Sequence, residues 1–496
     1  MNRRHFLSSA VLAAVPSLAV EKPRTLIGIQ VAGHSLLDEG MERCLDTIQS
    51  TCAANALFLY SHSYYAAHGR APQLYADHGL PIQDERKRKI TRVWLRHHAE
   101  AFKGTSLAMP EPGDEYGDRD LFAETVEACQ KRGLHFYARI LEPDHTKLQG
   151  RVKNAEKAMS IGLNGKLSPQ PCRNNPEWIA WWDAIISDTV KSYPLDGFQW
   201  GAERMGPLSS VLWKGALPFC FCQHCEARAK SEGIRVERAK QGFTELHAFI
   251  TKLHAGGQVP ADGIFTNVMR LLMKFPEILA WDYQWRAALE DQGRRSHALI
   301  KAARPTTQVG RHFDHQNTSW DALYLAQCSY ADVAPYADFI KPILYHDILY
   351  HDILAPRLLN QLHELKRGPL AEISLQQSLE LFYALRGYDT KLQPKLDELA
   401  TRGMDPEYVR IETKRIVAVV NGRCAVIPGI GVDVPNTSAG APDGGKRPSD
   451  QDALRSAITQ AFAAGASGIL ISREYDEMRL ESLRTVGQTL RELGKV

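Results

Sequence analysis

The sequence predicts an α/β fold of the (β/α)8 TIM-barrel type. Short apolar runs recur along the chain, and segments of helical character alternate with them. Eight such alternations in 496 residues fit one barrel with long connections after some strands. The rival fold is an open doubly wound sheet. It is disfavoured because no Gly-x-Gly-x-x-Gly turn follows the first run, and Gly429-Ile-Gly431 lacks a third glycine.

The eight predicted strands share an apolar run bounded by polar or turn residues. In chain order they are 25–31, 56–60, 134–141, 195–200, 308–312, 338–345, 423–430 and 468–472. The spacing of apolar residues predicts helices at 41–53, 121–131, 177–192, 407–420 and 477–493. Pro176 precedes the third of these at the first helical position, which proline favours.

Three long insertions follow strands two, four and six, at about 65–118, 204–305 and 347–422, and the second of them is mostly helical in pattern. In a barrel these connections lie at the carboxyl ends of the strands, where active sites are found. We therefore predict one catalytic barrel domain spanning 20–496.

Residues 1–19 predict an export signal. An Arg-Arg pair at positions 3 and 4 precedes an apolar run that is too short to cross a bilayer, and small residues follow at 17–19. The pattern resembles a twin-arginine signal, a type that carries folded proteins. We expect a periplasmic or secreted protein that is not held in a membrane after signal cleavage.

Composition narrows the classes of partner. Hydrophobic residues make up 44% and charged residues 24% of the chain, as in ordinary globular proteins. A net charge of +3 with interspersed signs gives no reason to expect a nucleic-acid partner.

Four of the nine cysteines call for a chemical explanation. Pro218-Phe-Cys-Phe-Cys-Gln-His-Cys225 contains a C-x-C-x-x-C pattern, and closely spaced thiolates suit tetrahedral zinc. The fourth ligand would be Cys172 or His224, and four protein ligands would make the zinc structural. A disulfide plus a free thiol, or unligated thiols, are the alternatives. Three further cysteines fall in helix-like patterns and are predicted to be buried hydrophobic residues: Cys44, Cys52 and Cys129.

A cysteine before the helix predicted at 177–192, an acidic residue at the end of strand four and the C-x-C-x-x-C segment beyond it resemble glycoside hydrolase family 42. These are β-galactosidase-type barrels of clan A. The resemblance covers 172–233. It implies a structural zinc with four ligands: Cys172, Cys220, Cys222 and Cys225.

The same resemblance implies that Glu203, in Gly201-Ala-Glu-Arg-Met-Gly206, is the general acid/base. The family motif reads Asn-Glu-Tyr-Gly, whereas this chain has Ala202 before the glutamate and Arg204 after it. No clear glutamate ends strand seven, where the family has its nucleophile.

Hydrolysis of a glycosidic bond needs two carboxyl groups, one on each side of that bond. Glu203 is the first candidate, and its partner is predicted to be Asp433 or Glu474, which follow strands seven and eight. Non-catalytic alternatives remain open for each of the three. Glu203 could pair with Arg204 or Arg139, Asp433 could hold a turn, and Glu474 could stabilise the start of the last helix.

Sugar hydroxyls need a ring of polar donors and acceptors around an aromatic floor. Residues at or after the strand ends supply predicted substrate contacts: Tyr60, Glu142, Trp200, Arg204, Arg311, His312, Tyr345, His346 and Arg473.

We therefore predict an exported glycoside hydrolase that acts on an oligo- or polysaccharide without an organic cofactor. One alternative is a barrel that binds carbohydrate without hydrolysing it. A second alternative is a metal-dependent hydrolase or lyase using His312, Asp314 and His346.

Overall fold

The computed structural model describes residues 25–63, 78, 92–111, 119–143, 148–149, 151–314, 322–347, 374–398, 403–435, 446–447 and 449–496. The predicted export signal, and much of the insertions at 65–118 and 347–422, lie outside the described residues.

Eight parallel strands form the barrel. Labelled β1 to β8 in chain order, they are Leu26–Val31, Ala56–Tyr60, His135–Leu141, Gly197–Gly201, Gln308–Phe313, Phe339–Pro342, the two-part strand Ala425–Val426 and Gly429–Gly431, and Gly468–Ser472. Each strand from β1 to β6 pairs with the next, and β1 also pairs with β8. The first part of β7 pairs with β6 and the second part with β8, so the ring closes. The predicted fold class is confirmed.

Helices follow most of the strands. Labelled α1 to α15 in chain order, they are Gly33–Asp38, Met41–Cys52, Leu121–Arg132, Pro176–Ser192, Pro207–Lys214, Gln223–Ser231, Val236–His254, Ile264–Lys274, Glu277–Ala303, Ala322–Gln327, Tyr330–Val333, Leu375–Arg386, Glu407–Val420, Gln451–Ala463 and Leu480–Glu492. Pro176 is the first residue of α4, as predicted, and the side chain of Asn175 caps that helix. No described helix has both the length and the apolar character that a bilayer span requires.

The barrel interior is apolar in its lower part and polar near the carboxyl ends of the strands. Side chains of a strand alternate between its two faces, so residues two apart point the same way. Tyr60, Arg139, Lys341 and Ser472 each come two residues after an apolar interior residue, and all four are buried. We call this region the polar end of the barrel. The apolar interior cluster consists of Ala56, Phe58, Tyr137, Phe339, Ile427 and Leu470.

Two interior glycines make room for the aromatic rings of this cluster. A Cβ atom on Gly197 would lie 2.1 Å from the ring of Tyr137, and one on Gly310 would lie 2.1 Å from the ring of Phe339. Phe58 stacks on Tyr137 with 4.4 Å between ring centroids. Small and large residues therefore alternate around the barrel so that its interior fills.

The insertion after β4 contains α5 to α9 and has a hydrophobic core of its own. Within that core Phe221 stacks on Trp281 with 4.7 Å between centroids. The 27-residue α9 also packs on α4, where Gln292 accepts a hydrogen bond from the indole of Trp178 at 3.1 Å. Helix α9 therefore belongs both to the insertion and to the wall of the barrel.

Candidate active site

Glu203 lies just after β4, and its carboxylate is 2.9 Å from Nε2 of His312 on β5. The Glu203 side chain is 40% exposed, whereas His312 is buried. Burial and, to a smaller extent, nearby Lys341 lower the pKa of His312 to about 3, against the opposing effect of Glu203. The neutral imidazole therefore donates its Nε2 hydrogen to the Glu203 carboxylate, which favours the ionised carboxylate.

Gly201 is what lets His312 reach this position. The two residues are paired across β4 and β5, and a Cβ on Gly201 would lie 2.8 Å from the Cβ of His312. Nδ1 of His312 is buried and has no hydrogen-bond partner among the described residues.

Lys341 on β6 is fully buried at the polar end, and its Nζ donates to the hydroxyl of Tyr345 at 2.8 Å. Burial lowers the pKa of Lys341 well below its usual range, and Arg139 adds to this effect, while Glu203 and Glu474 oppose it. Burial also raises the pKa of Tyr345 to about 12. The amine is therefore close enough to both glutamates to respond to their charge.

Sequence reasoning missed Lys341. Its signal is a single lysine in an otherwise apolar strand, two residues after the interior Phe339.

Glu474 follows β8, and its Oε1 accepts a hydrogen bond from Nη1 of Arg139 at 3.2 Å. Burial raises the pKa of Glu474 to about 7, with Arg139 acting against it. The side chain is 22% exposed, and its Oε2 has no hydrogen-bond partner among the described residues. The Arg139 guanidinium lies 4.0 Å above the ring of Tyr60, which is therefore part of the wall of the site.

Arg473 has a left-handed backbone with a φ of 83°, and its side chain forms an ion pair with Glu477 at 3.1 Å. Its main-chain carbonyl accepts a hydrogen bond from the side-chain amide of Gln30 on β1 at 3.0 Å. Arg473 therefore links the end of β8 to the neighbouring strand and to the turn that follows.

Asp433, a predicted catalytic partner of Glu203, lies among protein hydrogen-bond donors. This residue is fully buried, and one carboxylate oxygen accepts hydrogen bonds from the backbone of Ser449 at 2.8 Å and the hydroxyl of Ser482 at 2.9 Å. Its other oxygen accepts from the Arg479 amide at 2.6 Å. Asp433 therefore ties the end of β7 to Ser449 and to the start of α15, whereas its non-catalytic alternative was to hold a turn.

Trp200 and Arg311 also differ from their predicted role. The Arg311 guanidinium lies 3.9 Å above the Trp200 ring, and Trp200 packs edge-on against Trp182 of α4. Because alternate residues point to opposite faces of a strand, both side chains leave the barrel on the helix side. They stabilise packing between β4, β5 and the helices and are not placed to contact a substrate.

Glu142 and Arg204 are internal as well. The Glu142 carboxylate is buried and accepts hydrogen bonds from Arg173 at 3.0 Å and Gln292 at 3.1 Å. Arg204 donates to the main-chain carbonyl groups of Glu203 and Glu142. Both side chains, which were predicted to contact a substrate, bind other groups of the protein.

The alternative metal site does not assemble. Among the residues that the structure describes, the four cysteines are the only group of three or more side chains placed to share a metal ion. His312, Asp314 and His346 do not form such a group. His346 is buried, and its carbonyl accepts the amide of Met404 at 2.7 Å.

The four predicted cysteines do converge. Their sulfur atoms all lie within 4.8 Å of one another, and three of the separations are 3.1, 3.3 and 3.6 Å. A tetrahedral zinc with Zn–S bonds of about 2.3 Å would place sulfur atoms about 3.8 Å apart, so the group fits such an ion. The separations exceed the disulfide length of about 2.05 Å. We call this group the cysteine cluster: Cys172, Cys220, Cys222 and Cys225.

The cysteine cluster joins two parts of the chain. Cys172 precedes α4, whereas the other three lie between α5 and the start of α6. All four are buried in the core of the insertion. Of the two candidates for the fourth ligand, the structure selects Cys172 and not His224.

No protein-family model matches this sequence, and no curated protein matches it significantly. Among solved structures, a β-galactosidase from the Antarctic haloarchaeon Halorubrum lacusprofundi matches over 95% of this chain and 58% of that chain. The TM-score is 0.51 and the identity 12%. A β-galactosidase from Marinomonas ef1 has 9% identity and a TM-score of 0.49, covering 95% of this chain and 59% of that one. A GH42 β-galactosidase from G. stearothermophilus has 9% identity and a TM-score of 0.47, covering 96% and 58%.

The match to the Halorubrum protein supports the barrel fold reached from strand pairing. The chain spans less than two thirds of the length of each of these three proteins.

Proposed function

We propose that the protein is a glycoside hydrolase that acts on an oligo- or polysaccharide through Glu203 and Glu474. One observation carries the proposal: two partly exposed carboxylates follow β4 and β8, strands that lie opposite each other in the closed ring. Both carboxylates favour the protonated form of Lys341 on β6, against the effect of its burial. Paired carboxyl groups across a cleft are what glycosidic hydrolysis requires. The resemblance to family 42 and the likeness to the fold of a β-galactosidase support the same activity.

The different surroundings of the two glutamates favour different roles. Glu474, whose pKa is raised to about 7, keeps its proton in mildly acidic solution and would donate it to the leaving glycosidic oxygen. Glu203 accepts a hydrogen bond from neutral His312 and would act as the carboxylate that attacks the anomeric carbon or deprotonates water. Water supplies the hydroxyl group of the product. The family resemblance implies the reverse roles, with Glu203 as acid/base.

The test compares Glu203→Gln and Glu474→Gln on aryl glycosides, with β-galactosides included, that have good and poor leaving groups. Loss of the acid should spare a dinitrophenyl leaving group, which needs no proton, whereas loss of the attacking carboxylate should abolish both reactions. We expect Glu474→Gln to keep activity on dinitrophenyl glycosides and Glu203→Gln to lose it. In the wild-type protein, kcat should fall as the pH rises through about 7, because Glu474 loses its proton.

Glu277→Gln is the matched control, because Glu277 is a buried, ion-paired glutamate in the insertion. The opposite leaving-group pattern would reverse the two roles. Wild-type turnover in both glutamine variants would rule out this catalytic pair.

A carbohydrate-binding barrel without hydrolysis is the second candidate function. It is favoured by the engagement of Asp433 at the end of β7, where the resembling family has its nucleophile. A pure binding protein would keep its sugar affinity in Glu203→Gln and would show no turnover in any form.

We further propose that the ion of the cysteine cluster is zinc and that the protein is exported. Four thiolates at these separations suit zinc, which would brace the loops that hold them and supply no open position for substrate. Export rests on the Arg-Arg pair and apolar run at the start of the sequence.

A further inference from the structure

A buried series of polar contacts connects the cysteine cluster with the backbone of Glu203. It starts at Arg173, the residue after Cys172, whose guanidinium donates to the Glu142 carboxylate through Nε at 3.0 Å and also through Nη2. Glu142 lies at the end of β3, and its amide donates to the carbonyl of Gly201 at 2.8 Å. The series therefore reaches the end of β4.

Arg204 completes the connection. Its Nη1 donates to the Glu203 carbonyl at 2.9 Å, and its Nη2 donates to the Glu142 carbonyl at 2.5 Å. One planar guanidinium thus ties the chain after β3 to the chain after β4, with the fixed donor geometry that arginine provides. Arg204 therefore holds the main chain of Glu203 itself.

The Glu142 carboxylate has no role left for a substrate. Arg173 and Gln292 occupy its oxygens, and the side chain is about 1% exposed. The Arg173 guanidinium in turn lies 4.7 Å above the ring of Trp285 in the core of the insertion. A buried charge is retained only with such partners, so removing one should loosen the others.

We propose that Glu142 and Arg204 are positioning residues that hold Glu203 at its distance from His312. Through them, the cysteine cluster would also stabilise the conformation of the loop at 201–206, which carries Glu203. This inference rests on the proposed function, because it assumes that Glu203 acts in the reaction. Displacement of a reacting group by about 1 Å can cost about 100-fold in rate. Weakening the series should therefore lower kcat and leave KM nearly unchanged.

The experiment uses the full-length, metal-loaded protein with Arg204→Met and Glu142→Gln, and Glu277→Gln as control. In Arg204→Met we expect a kcat about 10- to 100-fold below wild type, with KM within about threefold. Amide hydrogen exchange over 201–206 should be at least about tenfold faster, while exchange over β2 should not change. Arg204→Lys, which keeps one donor nitrogen, should have a kcat and an exchange rate between those of the wild type and those of Arg204→Met. Metal content should equal that of the wild type.

Two quantities decide the proposal: kcat and the rate of amide exchange over 201–206. The proposal is overturned if both quantities in Arg204→Met and in Glu142→Gln equal those of the control Glu277→Gln. If Glu142→Gln does not fold, Arg204→Met decides the question, because it leaves the Glu142–Arg173 pair in place. Turnover by Glu203→Gln at the wild-type rate would defeat the proposed function instead, and the exchange measurement would still test whether Arg204 orders the loop.

Discussion

Lys341 shows how burial alone can fix the protonation state of a single residue. Its amine is fully buried and, among the described residues, donates a hydrogen bond to the neutral phenol of Tyr345. Because desolvation penalises the charged form, the folded protein holds this lysine with a pKa well below the value of about 10.4 in the unfolded chain.

Lys341→Met should therefore stabilise the protein at pH 7. Folding the wild type at this pH either removes a proton from Lys341 or buries its charge, and methionine of similar shape avoids both costs. We expect the free energy of unfolding to rise by at least about 1 kcal/mol, measured by urea denaturation. The difference should shrink as the pH rises from 7 towards about 10.4, because the unfolded lysine then loses its proton too.

Lys131→Met is the control for this prediction, because Lys131 is exposed on α3 and should change stability by less than about 0.5 kcal/mol. A Lys341→Met variant that is less stable than wild type at pH 7 would show that the amine forms a net stabilising interaction.

Residue identity was enough to single out some functional side chains and not others. The cysteine cluster was predictable because local spacing carries metal-ligand chemistry, whereas the catalytic role of Glu203 stays a prediction. The sequence could not decide whether Asp433 or Glu474 is the partner of Glu203, because both follow strands. Only the tertiary structure shows that Ser449, Ser482 and the start of α15 donate hydrogen bonds to the Asp433 carboxylate. The sequence could place 200–201 and 311–312 at strand ends. Which of these side chains point into the barrel and which point towards the helices became clear only from the closed ring.

At the scale of elements, prolines explain two of the differences between the predicted strands and the structure. Strand six was predicted over 338–345 but ends at Pro342, and β7 divides around Pro428. Proline has no amide hydrogen and interrupts the ladder at its position. The last helix begins at Leu480 and not at 477, because Tyr475–Glu477 form a separate 3-10 turn.

The filling of the barrel interior gives a prediction for β5. Gly310→Ala would place a methyl group 2.1 Å from the Phe339 ring, and neighbouring strands leave that ring little room to move. We expect a loss of about 1 to 3 kcal/mol in the free energy of unfolding, measured by urea denaturation.

Gly104→Ala is the matched control, because nothing lies within 4 Å of a Cβ at that position. Equal stability of the two alanine variants would mean that the barrel interior is more loosely packed than the structure indicates.

At the scale of the whole molecule, the cysteine cluster should stabilise the insertion more than it stabilises the barrel. Its four residues belong to the core formed by α5 to α9, which is distinct from the main core around the barrel. Cys172→Ser should reduce bound metal below one ion per chain and speed amide exchange in α6 to α8. Exchange in β1, β2 and β8 should stay slow. Mass spectrometry with elemental analysis measures both effects.

Cys424→Ser serves as the control, since Cys424 is a partly buried cysteine outside the cluster. Full metal content in Cys172→Ser, or uniform loss of protection across the barrel, would contradict a local role for the cluster.

The sequence by itself determined the barrel, the helical insertion and the four cysteines, because hydrophobic periodicity and ligand spacing are local properties of the chain. Tertiary structure alone decided which polar residues face one another. Closure of the ring turned Trp200 and Arg311 towards the helices, exposed Lys341 to the charges of Glu203 and Glu474, and joined Glu142 to Arg173. Such contacts connect residues far apart in the chain, so local patterns of sequence do not determine them.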